Sequence, residues 1–254
     1  MQAAGEGSLN GIQPQLRDRL AVITGAGSGI GRAVATQLAT EGARLCLIGR
    51  ELDKLNDVAR VARHDSPEVA CFSVDLSQNS AIQEFAIAFE QTFGHADVLV
   101  HSAAEIFLAP LSQADVRDFD RLYEVNLRGP FRLTQLFVPL LTERCGQVVF
   151  INSSAGVAAG PRNGLYSATK HGLKAIADSF RQELDHRGVR VISVYPGRTA
   201  TVMQQTVCNA EREEYRPDEL LQPENIASLV VQALKMPENV HVTDVYMQSR
   251  LNTP

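Results

Sequence analysis

Residues 20–32 of the chain read LAVITGAGSGIGR, a short apolar run followed by a turn that contains four glycines. A helical pattern of apolar residues, Ala33, Val34, Leu38 and Ala39, follows directly. This order of strand, glycine-rich turn and helix brings backbone N–H groups and the positive end of the helix dipole to one point, where a pyrophosphate can bind. Tight turns between strands and helices also need glycine for backbone reasons alone, so the motif by itself leaves both interpretations open.

Similar apolar runs recur along the chain and alternate with segments of helical periodicity. Runs that are hydrophobic almost throughout, such as residues 20–23 and 189–194, indicate strands covered on both faces, hence parallel strands joined by right-handed helical crossovers. We predict one doubly wound, Rossmann-type α/β domain with a mostly parallel seven-stranded sheet over residues 19–254, preceded by a disordered tail over residues 1–18. The predicted strands are residues 19–24, 43–49, 69–75, 97–102, 147–152, 189–195 and 240–247.

The composition favours a small-molecule ligand. The net charge is −5 and no stretch is rich in Lys or Arg, which removes the electrostatic basis for binding nucleic acid or an anionic membrane surface. The four cysteines form no CxxC pair, the histidines lack metal-ligand spacing, and no apolar run approaches the roughly 20 residues of a membrane-spanning helix. Without a recognisable signal peptide, we expect a cytoplasmic protein with no bound metal.

Two predicted strands end in residues suited to an adenosine group. The second ends Leu47-Ile48-Gly49-Arg50, at the place where NAD-binding folds carry an acidic residue. Arg50 could instead bind a 2′-phosphate through two parallel hydrogen bonds, which favours NADP(H) and leaves NAD(H) possible. Stacking of Arg50 on adenine is the alternative, and the neighbouring Glu51 weakens the preference. Asp75 follows the third predicted strand, and its position by itself indicates a cap of the next helix.

A possible acid–base pair follows the fifth predicted strand. Tyr166 and Lys170 are four residues apart in a helical segment, so they lie on one face, about 5–6 Å apart at Cβ. A nearby ammonium stabilises a phenolate and moves the pKa of the phenol toward neutrality, but such pairs are also common on helix surfaces. Ser153 stands thirteen residues before Tyr166, in the segment Asn152–Ser154, which by itself indicates only a polar exit from strand to loop. No GxSxG motif marks Ser153 as a nucleophile.

Together these motifs resemble the short-chain dehydrogenase/reductase family over about residues 19–247. The matching patterns are TGxxxGIG at residues 24–31, NxxG at 126–129, the serine and YxxxK spacing, and PGxxxT at 196–201. The resemblance implies hydride transfer between NADP(H) or NAD(H) and a carbonyl or alcohol substrate. It implies a catalytic set of Asn126, Ser153, Tyr166 and Lys170, in which Asn126 holds a water and Lys170 also binds the nicotinamide ribose.

The resemblance also implies a cofactor-binding set. In the family, the aspartate at the position of Asp75 contacts the adenine amino group, while the residues at Thr199 and Thr201 hold the nicotinamide carboxamide. The full set is Gly25, Gly27, Ser28, Gly29, Ile30, Gly31, Arg50, Asp75, Leu76, Ala103, Tyr166, Lys170, Pro196, Gly197, Thr199 and Thr201. Helices near residues 119–141 and 165–186 form subunit interfaces in the family, so we expect a homotetramer, with a dimer as fallback.

The chain departs from the family after the fourth predicted strand. His101-Ser102-Ala103-Ala104 replaces the family's Asn-Asn-Ala-Gly, and we expect His101 to be a partly buried structural residue. This change is the one feature that favours a cofactor-sensing protein with little turnover over an enzyme. A sugar-nucleotide epimerase would need a TGxxGxxG turn and a larger substrate region, both of which are missing. We further expect one helix over residues 112–141, bent before Gly129-Pro130, and a substrate lid over residues 202–221.

Overall fold

The computed structural model describes residues 16–251, which form one sheet of seven parallel strands. The strands are β1 (Leu20–Thr24), β2 (Arg44–Gly49), β3 (Val69–Ser73), β4 (Val98–His101), β5 (Gln147–Ile151), β6 (Arg190–Pro196) and β7 (Asp244–Met247). Their order in the sheet is β3-β2-β1-β4-β5-β6-β7. The predicted doubly wound fold is confirmed. The order reverses between β1 and β4, which opens a crevice at the carboxyl ends of these strands.

Helices cover both faces of the sheet. They are α1 (Gly29–Thr40), α2 (Leu52–Ala62), α3 (Asn79–Phe93), α4 (Val116–Tyr123), α5 (Gly129–Thr142), α6 (Gly164–Leu184), α7 (Val202–Glu211) and α8 (Pro223–Leu234). Side chains alternate along each strand, so Ala21 and Ile23 of β1 join the apolar core under α1, α2 and α8. Leu20 and Val22 join the opposite core under α3, α5 and α6. Both faces of the strands are therefore apolar, as the hydrophobic runs predict.

The folded chain begins slightly earlier than the sequence indicates. Leu16 is 3% exposed and packs in the core beside α1, and the Asp18 N–H donates to the Gly42 carbonyl at 2.9 Å. Residues 16–18 therefore belong to the folded unit and not to the predicted tail. Residues 1–15 of that tail, and residues 252–254, lie outside the described residues.

Two predicted elements differ from the structure. The helix predicted over residues 112–141 is interrupted, because Asp115 caps a new helix by accepting from the Arg117 N–H, and a π-helical segment, Glu124–Arg128, joins α4 to α5. The strand predicted over residues 240–247 begins only at Asp244. In the preceding segment, the carbonyls of Met236 and Val240 each accept a hydrogen bond of 3.0 Å from the Arg190 guanidinium.

Several features bear on function class. Within residues 16–251, no helix has both the length and the apolar character needed to cross a bilayer. In the same part of the chain, no group of three or more His, Cys, Asp or Glu side chains is arranged to hold a metal ion. All four cysteines, Cys46, Cys71, Cys145 and Cys208, are free thiols.

Candidate active site

The glycine-rich turn between β1 and α1 forms one wall of the crevice. Gly25 has a φ of +66° and Gly29 a φ of +50°, backbone conformations that favour glycine. A Cβ on Gly25 would lie 2.8 Å from the Ala103 backbone, and one on Gly31 would overlap the carbonyl oxygen of Gly25. Ser28, the N-cap residue of α1, makes no side-chain capping hydrogen bond. The first N–H groups of the helix therefore face the crevice without a hydrogen bond to the Ser28 side chain.

The crevice encloses a cavity of about 420 Å³. Almost all of the residues predicted to bind the cofactor line it, and so do Ser153, Tyr166 and Lys170. Two of the predicted site residues, Gly31 and Asn126, do not line the cavity. Gly31 packs on the turn, where it allows α1 to approach the Gly25 carbonyl. The lining residues predicted from sequence are Gly25, Gly27, Ser28, Gly29, Ile30, Arg50, Asp75, Leu76, Ala103, Ser153, Tyr166, Lys170, Pro196, Gly197, Thr199 and Thr201.

The structure brings Ser153, Tyr166 and Lys170 together. Ser153 follows β5, and Tyr166 lies in the first turn of α6, where both side chains line the cavity. One turn later, the Lys170 Nζ lies 5.8 Å from the centre of the Tyr166 ring and donates to the Ile151 carbonyl at 3.0 Å. The i, i+4 spacing thus places phenol and ammonium on one helix face, and β5 supplies the serine.

Burial controls the ionisation of this pair. Tyr166 is 7% exposed and Lys170 is 2% exposed. Burial raises the pKa of Tyr166 to about 12, although the nearby Ser153 hydroxyl acts to lower it, and burial lowers the pKa of Lys170 to about 8. Tyr166 is therefore a protonated phenol at neutral pH. The sequence-based expectation of a phenol pKa moved toward neutrality is not met, because loss of hydration outweighs the opposing effect on the pKa of Tyr166.

Asn126 lies behind the cavity wall, in the π-helical segment. Its side-chain amide donates to the Glu105 carbonyl at 2.9 Å and to the Thr169 hydroxyl at 3.2 Å, and its Oδ1 accepts from the Glu105 N–H at 2.8 Å. These bonds tie the loop after β4 to α6. The structure thus gives the Asn126 side chain a positioning role that sequence reasoning did not predict.

Arg50, Asp75, Glu105 and Arg121 form a charged cluster in the cavity wall. The Arg50 Nη1 lies 2.7 Å from the Glu105 Oε1. Arg121 of α4 donates to both carboxylate oxygens of Glu105 at 2.9 Å, and its Nη1 lies 3.6 Å from the Asp75 Oδ2. Burial acts to raise the pKa of Asp75, but the Ser77 N–H and hydroxyl and the two arginines outweigh it, so the pKa is lowered. Asp75 also accepts from the Ser77 N–H at 2.9 Å, but the N-cap of α3 is Gln78, so the expected capping of the helix by Asp75 is wrong.

The opposite end of the cavity is formed by the loop after β6 and by α7. The Gly197 N–H donates to the Met247 carbonyl, which joins this loop to β7. The Thr201 hydroxyl accepts from the Gln204 N–H at 3.2 Å and so caps α7. A Cβ on Gly29 would lie 3.2 Å from the Thr201 methyl, so the loop and the glycine-rich turn are neighbours. Apolar side chains of α7 and of the loop after β4 also line the cavity: Ile106, Leu108, Met203 and Val207.

His101 occupies the altered segment at the end of β4. It is 2% exposed, its Nε2 is hydrogen-bonded to the Thr134 hydroxyl at 2.8 Å, and its ring stacks on Phe150 with centroids 4.8 Å apart. Burial, with a smaller contribution from Lys170, lowers the pKa of His101 to about 3, so the ring is neutral at physiological pH. The residue is structural and does not line the cavity.

Sequence reasoning missed Glu105 and Arg121. Glu105 follows the altered segment, and an acidic residue just past a strand end at the carboxyl edge of the sheet was a usable signal. Arg121 lies inside the segment predicted as one long helix, and its spacing carries no information about the cavity. Only the chain path after β4 brings it to Glu105.

Comparisons with known proteins agree with this architecture. Residues 19–212 match the sequence model of the family described as short chain dehydrogenase. An uncharacterized oxidoreductase of Staphylococcus aureus (strain MRSA252) is 33% identical over 231 residues, which cover 91% of this chain and 96% of that protein. The solved alcohol dehydrogenase of the archaeon Thermococcus sibiricus, complexed with 5-hydroxy-NADP, is 29% identical with a TM-score of 0.85, covering 93% of this chain and 98% of that one. A metagenomic short-chain oxidoreductase in complex with NADP is 30% identical with a TM-score of 0.80, covering 92% and 98%.

Proposed function

Because the chain belongs to the short-chain dehydrogenase family of oxidoreductases, we propose that it transfers a hydride between NADP(H) and a carbonyl or secondary alcohol substrate, with Tyr166 as the general acid–base. One observation carries the proposal. Ser153 and Tyr166, with Lys170 one helical turn away, line the same cavity as the glycine-rich turn. Acid–base chemistry and a dinucleotide cradle are thus parts of one site.

The residues present fit a nicotinamide dinucleotide. Gly25 and Gly29 keep Cβ atoms out of the turn, and the first N–H groups of α1 face the cavity, which suits a pyrophosphate. Arg50 and Asp75 suit the adenosine half, and Thr199, Thr201 and Lys170 suit the nicotinamide half. When bound, the dinucleotide supplies or accepts the hydride.

The chain's own residues handle the proton. The protonated phenol of Tyr166 can donate to a carbonyl oxygen, since its pKa of about 12 keeps the proton in place at neutral pH. The Ser153 hydroxyl donates to the same oxygen as negative charge develops on it. The Lys170 ammonium, held on the Ile151 carbonyl, supplies the positive charge that favours phenolate once Tyr166 has given up its proton. The reverse reaction needs the phenolate as base, so alcohol oxidation should speed up with rising pH.

The test of the reaction class is a screen of carbonyl compounds for NADPH oxidation, followed by Tyr166→Phe. Phenylalanine keeps the ring and its packing but has no proton to donate. We expect kcat to fall by about 10²- to 10⁴-fold, with a much smaller change in the Kd for NADPH. A wild-type protein that binds NADPH tightly but reduces no carbonyl compound would favour the cofactor-sensing alternative. A Tyr166→Phe protein with unchanged kcat would remove Tyr166 from the mechanism.

We also propose NADP(H) as the preferred cofactor, with NAD(H) as the alternative. Gly49 leaves no carboxylate for the ribose hydroxyls at the end of β2, and Arg50 offers a guanidinium there. Titration with NADPH and NADH, followed by nicotinamide fluorescence, should show tighter NADPH binding that is lost in Arg50→Asp. Tighter binding of NADH by the wild-type protein would refute this preference without touching the reaction class.

A further inference from the structure

An ion pair spans the cavity that the adenosine would enter. Arg50 directly follows β2, and Glu105 lies in the loop after β4. In the sheet, β1 and its glycine-rich turn lie between these two strands. The 2.7 Å contact between the Arg50 Nη1 and the Glu105 Oε1 therefore crosses the carboxyl end of β1. Both side chains line the cavity. A ligand that binds at the turn beside Arg50 would have to displace this ion pair.

Glu105 is held more firmly than Arg50. Two hydrogen bonds of 2.9 Å from Arg121, one to each carboxylate oxygen, fix the carboxylate, whose side chain is 18% exposed. The Arg50 side chain is 57% exposed and has one contact with that carboxylate. Since the better-fixed partner stays in place, opening the pair means moving the Arg50 guanidinium.

The local charge also works against a phosphate. Arg50 and Arg121 contribute two positive charges, while Glu105 and Asp75 contribute two negative charges. A 2′-phosphate adds a further charge of about −1.5 to −2 and needs a free guanidinium. The Glu105 carboxylate both occupies Arg50 and repels the phosphate. Neither effect applies to the uncharged 2′-hydroxyl of NAD(H).

We propose that Glu105 is a specificity-determining residue that restrains Arg50 and so weakens the affinity for NADP(H) more than the affinity for NAD(H). The inference rests on the proposed function, because it concerns the cofactor of that site. Arg50 alone would give a strong preference for the phosphorylated cofactor. Glu105 reduces that preference, and its removal should increase it.

The test is Glu105→Gln, with Kd values for NADP⁺ and NAD⁺ measured by calorimetry. Glutamine keeps the shape of the side chain and an oxygen that can accept from Arg121, but it has no charge to hold Arg50. Because Arg50 is more than half exposed, the expected effect is modest, about a two- to fivefold lower Kd for NADP⁺. The Kd for NAD⁺ should change by less than that.

Glu51→Gln is the matched control. Glu51 also lines the cavity and stands next to Arg50, but its carboxylate pairs with Lys54 at 2.7 Å. This variant removes one negative charge without releasing Arg50, so its NADP⁺ effect should be smaller than that of Glu105→Gln. In an Arg50→Ala background, Glu105→Gln should lose most of its effect on NADP⁺ affinity.

Glu105→Asp guards against a folding defect in Glu105→Gln. It keeps a charged partner for Arg121 but shortens the reach toward Arg50, so the Kd ratio should move in the same direction. An unchanged NADP⁺ to NAD⁺ ratio in the folded variants, or an equal gain in Glu51→Gln, would overturn the inference while leaving the proposed function intact. If the wild-type protein bound neither nucleotide, the proposed function and this inference would fail together.

Discussion

Lys170 is an ionisable side chain almost entirely withdrawn from water. Its ammonium has one carbonyl partner, Ile151, at 3.0 Å, and burial lowers its pKa to about 8. A buried cation with so little compensation destabilises the folded protein, which is the usual signature of a group kept for chemistry and not for stability. The residue should therefore oppose stability in a pH-dependent way.

Lys170→Met should abolish turnover and remove this destabilisation. Below about pH 8 the folded and unfolded states both hold the proton, so the penalty of the buried cation is fully present. Above that pH the folded protein releases the proton first, and the penalty fades toward the unfolded pKa of 10.5. The free energy of unfolding of Lys170→Met, relative to wild type, should thus shrink by about 1.5 kcal/mol between about pH 8 and 9.5.

Denaturant unfolding at these two pH values measures the difference. Lys174→Met is the control, since Lys174 is on the same helix, pairs with Asp178 at 2.6 Å and has a raised pKa. That variant should show no such convergence with wild type. A constant difference between Lys170→Met and wild type across this range would mean that the ammonium is not destabilised by burial.

His101→Asn should remove a different pH dependence. The folded pKa of His101 is about 3, so on acidification the unfolded chain takes up this proton near pH 6.5 while the folded protein does not. Stability contributed by the neutral ring is present above that pH and is lost as the pH falls. The wild-type free energy of unfolding, relative to His101→Asn, should therefore drop by about 2 kcal/mol between about pH 7 and 5.

The measurement is denaturant unfolding of both proteins at the two pH values. His64→Asn, which removes an exposed histidine, controls for the loss of a histidine as such and should give a smaller change. If the free energies of unfolding of His101→Asn and wild type kept a fixed separation, burial would not have lowered the pKa of the ring.

At the residue scale, spacing in the sequence predicted which side chains meet but not their ionisation. Tyr166 and Lys170 meet because four residues make one helical turn. Their pKa values depend on how much water the neighbouring elements exclude, and that is a property of the whole fold. Glu105 illustrates the same limit, since its partner Arg121 is sixteen residues away and separated from it by an irregular loop.

At the element scale, the turn after β1 depends on close backbone contact. Gly31→Ala should place a methyl group against the Gly25 carbonyl and force α1 away from β1. We expect a loss of about 1–3 kcal/mol in unfolding free energy, typical of overpacking, and at least about a tenfold weaker binding of NADPH. Thermal unfolding and fluorescence titration measure the two effects.

Gly160→Ala is the matched control for this turn. Gly160 has no positive φ, and the nearest atom to an added Cβ is the Asn163 side-chain amide at 3.6 Å. A Gly31→Ala protein that matched Gly160→Ala in stability and NADPH affinity would show that the turn tolerates a methyl group.

Strands and helices with a single strong periodicity were predictable from the sequence, whereas segments that combine several short elements were not. The strands β1, β5 and β6 are long apolar runs and lie where the sequence predicts them. The segment before β7 contains alternating apolar residues, but the Arg190 guanidinium donates to the carbonyls of Met236, Pro237 and Val240, and β7 begins only at Asp244. A contact with a residue some fifty positions away leaves no local signal.

At the scale of the whole molecule, the sheet order and the place of the site followed from simple rules. Alternating strands and helices with right-handed crossovers lead to a doubly wound sheet, and its switch point locates the cavity. What the sequence could not supply is the loop path after β4. That path decides that Glu105 and Asn126 meet, and Asn126 then ties the loop to Thr169 of α6.

Exposed apolar side chains on α4 support the proposal of a homotetramer or dimer. Val116, Phe119 and Tyr123 lie on one face of α4 and are 71%, 40% and 44% exposed. Neighbouring apolar side chains exposed to this extent favour association. Light scattering should give a dimer or tetramer mass for the wild type, and Phe119→Glu with Tyr123→Glu should shift it to a monomer, because charges buried at an interface lose their hydration. Val61→Glu is the control, because Val61 is exposed on α2, which covers the other face of the sheet, and this variant should leave the mass unchanged. A monomeric mass for the wild type would refute the proposed dimer or tetramer.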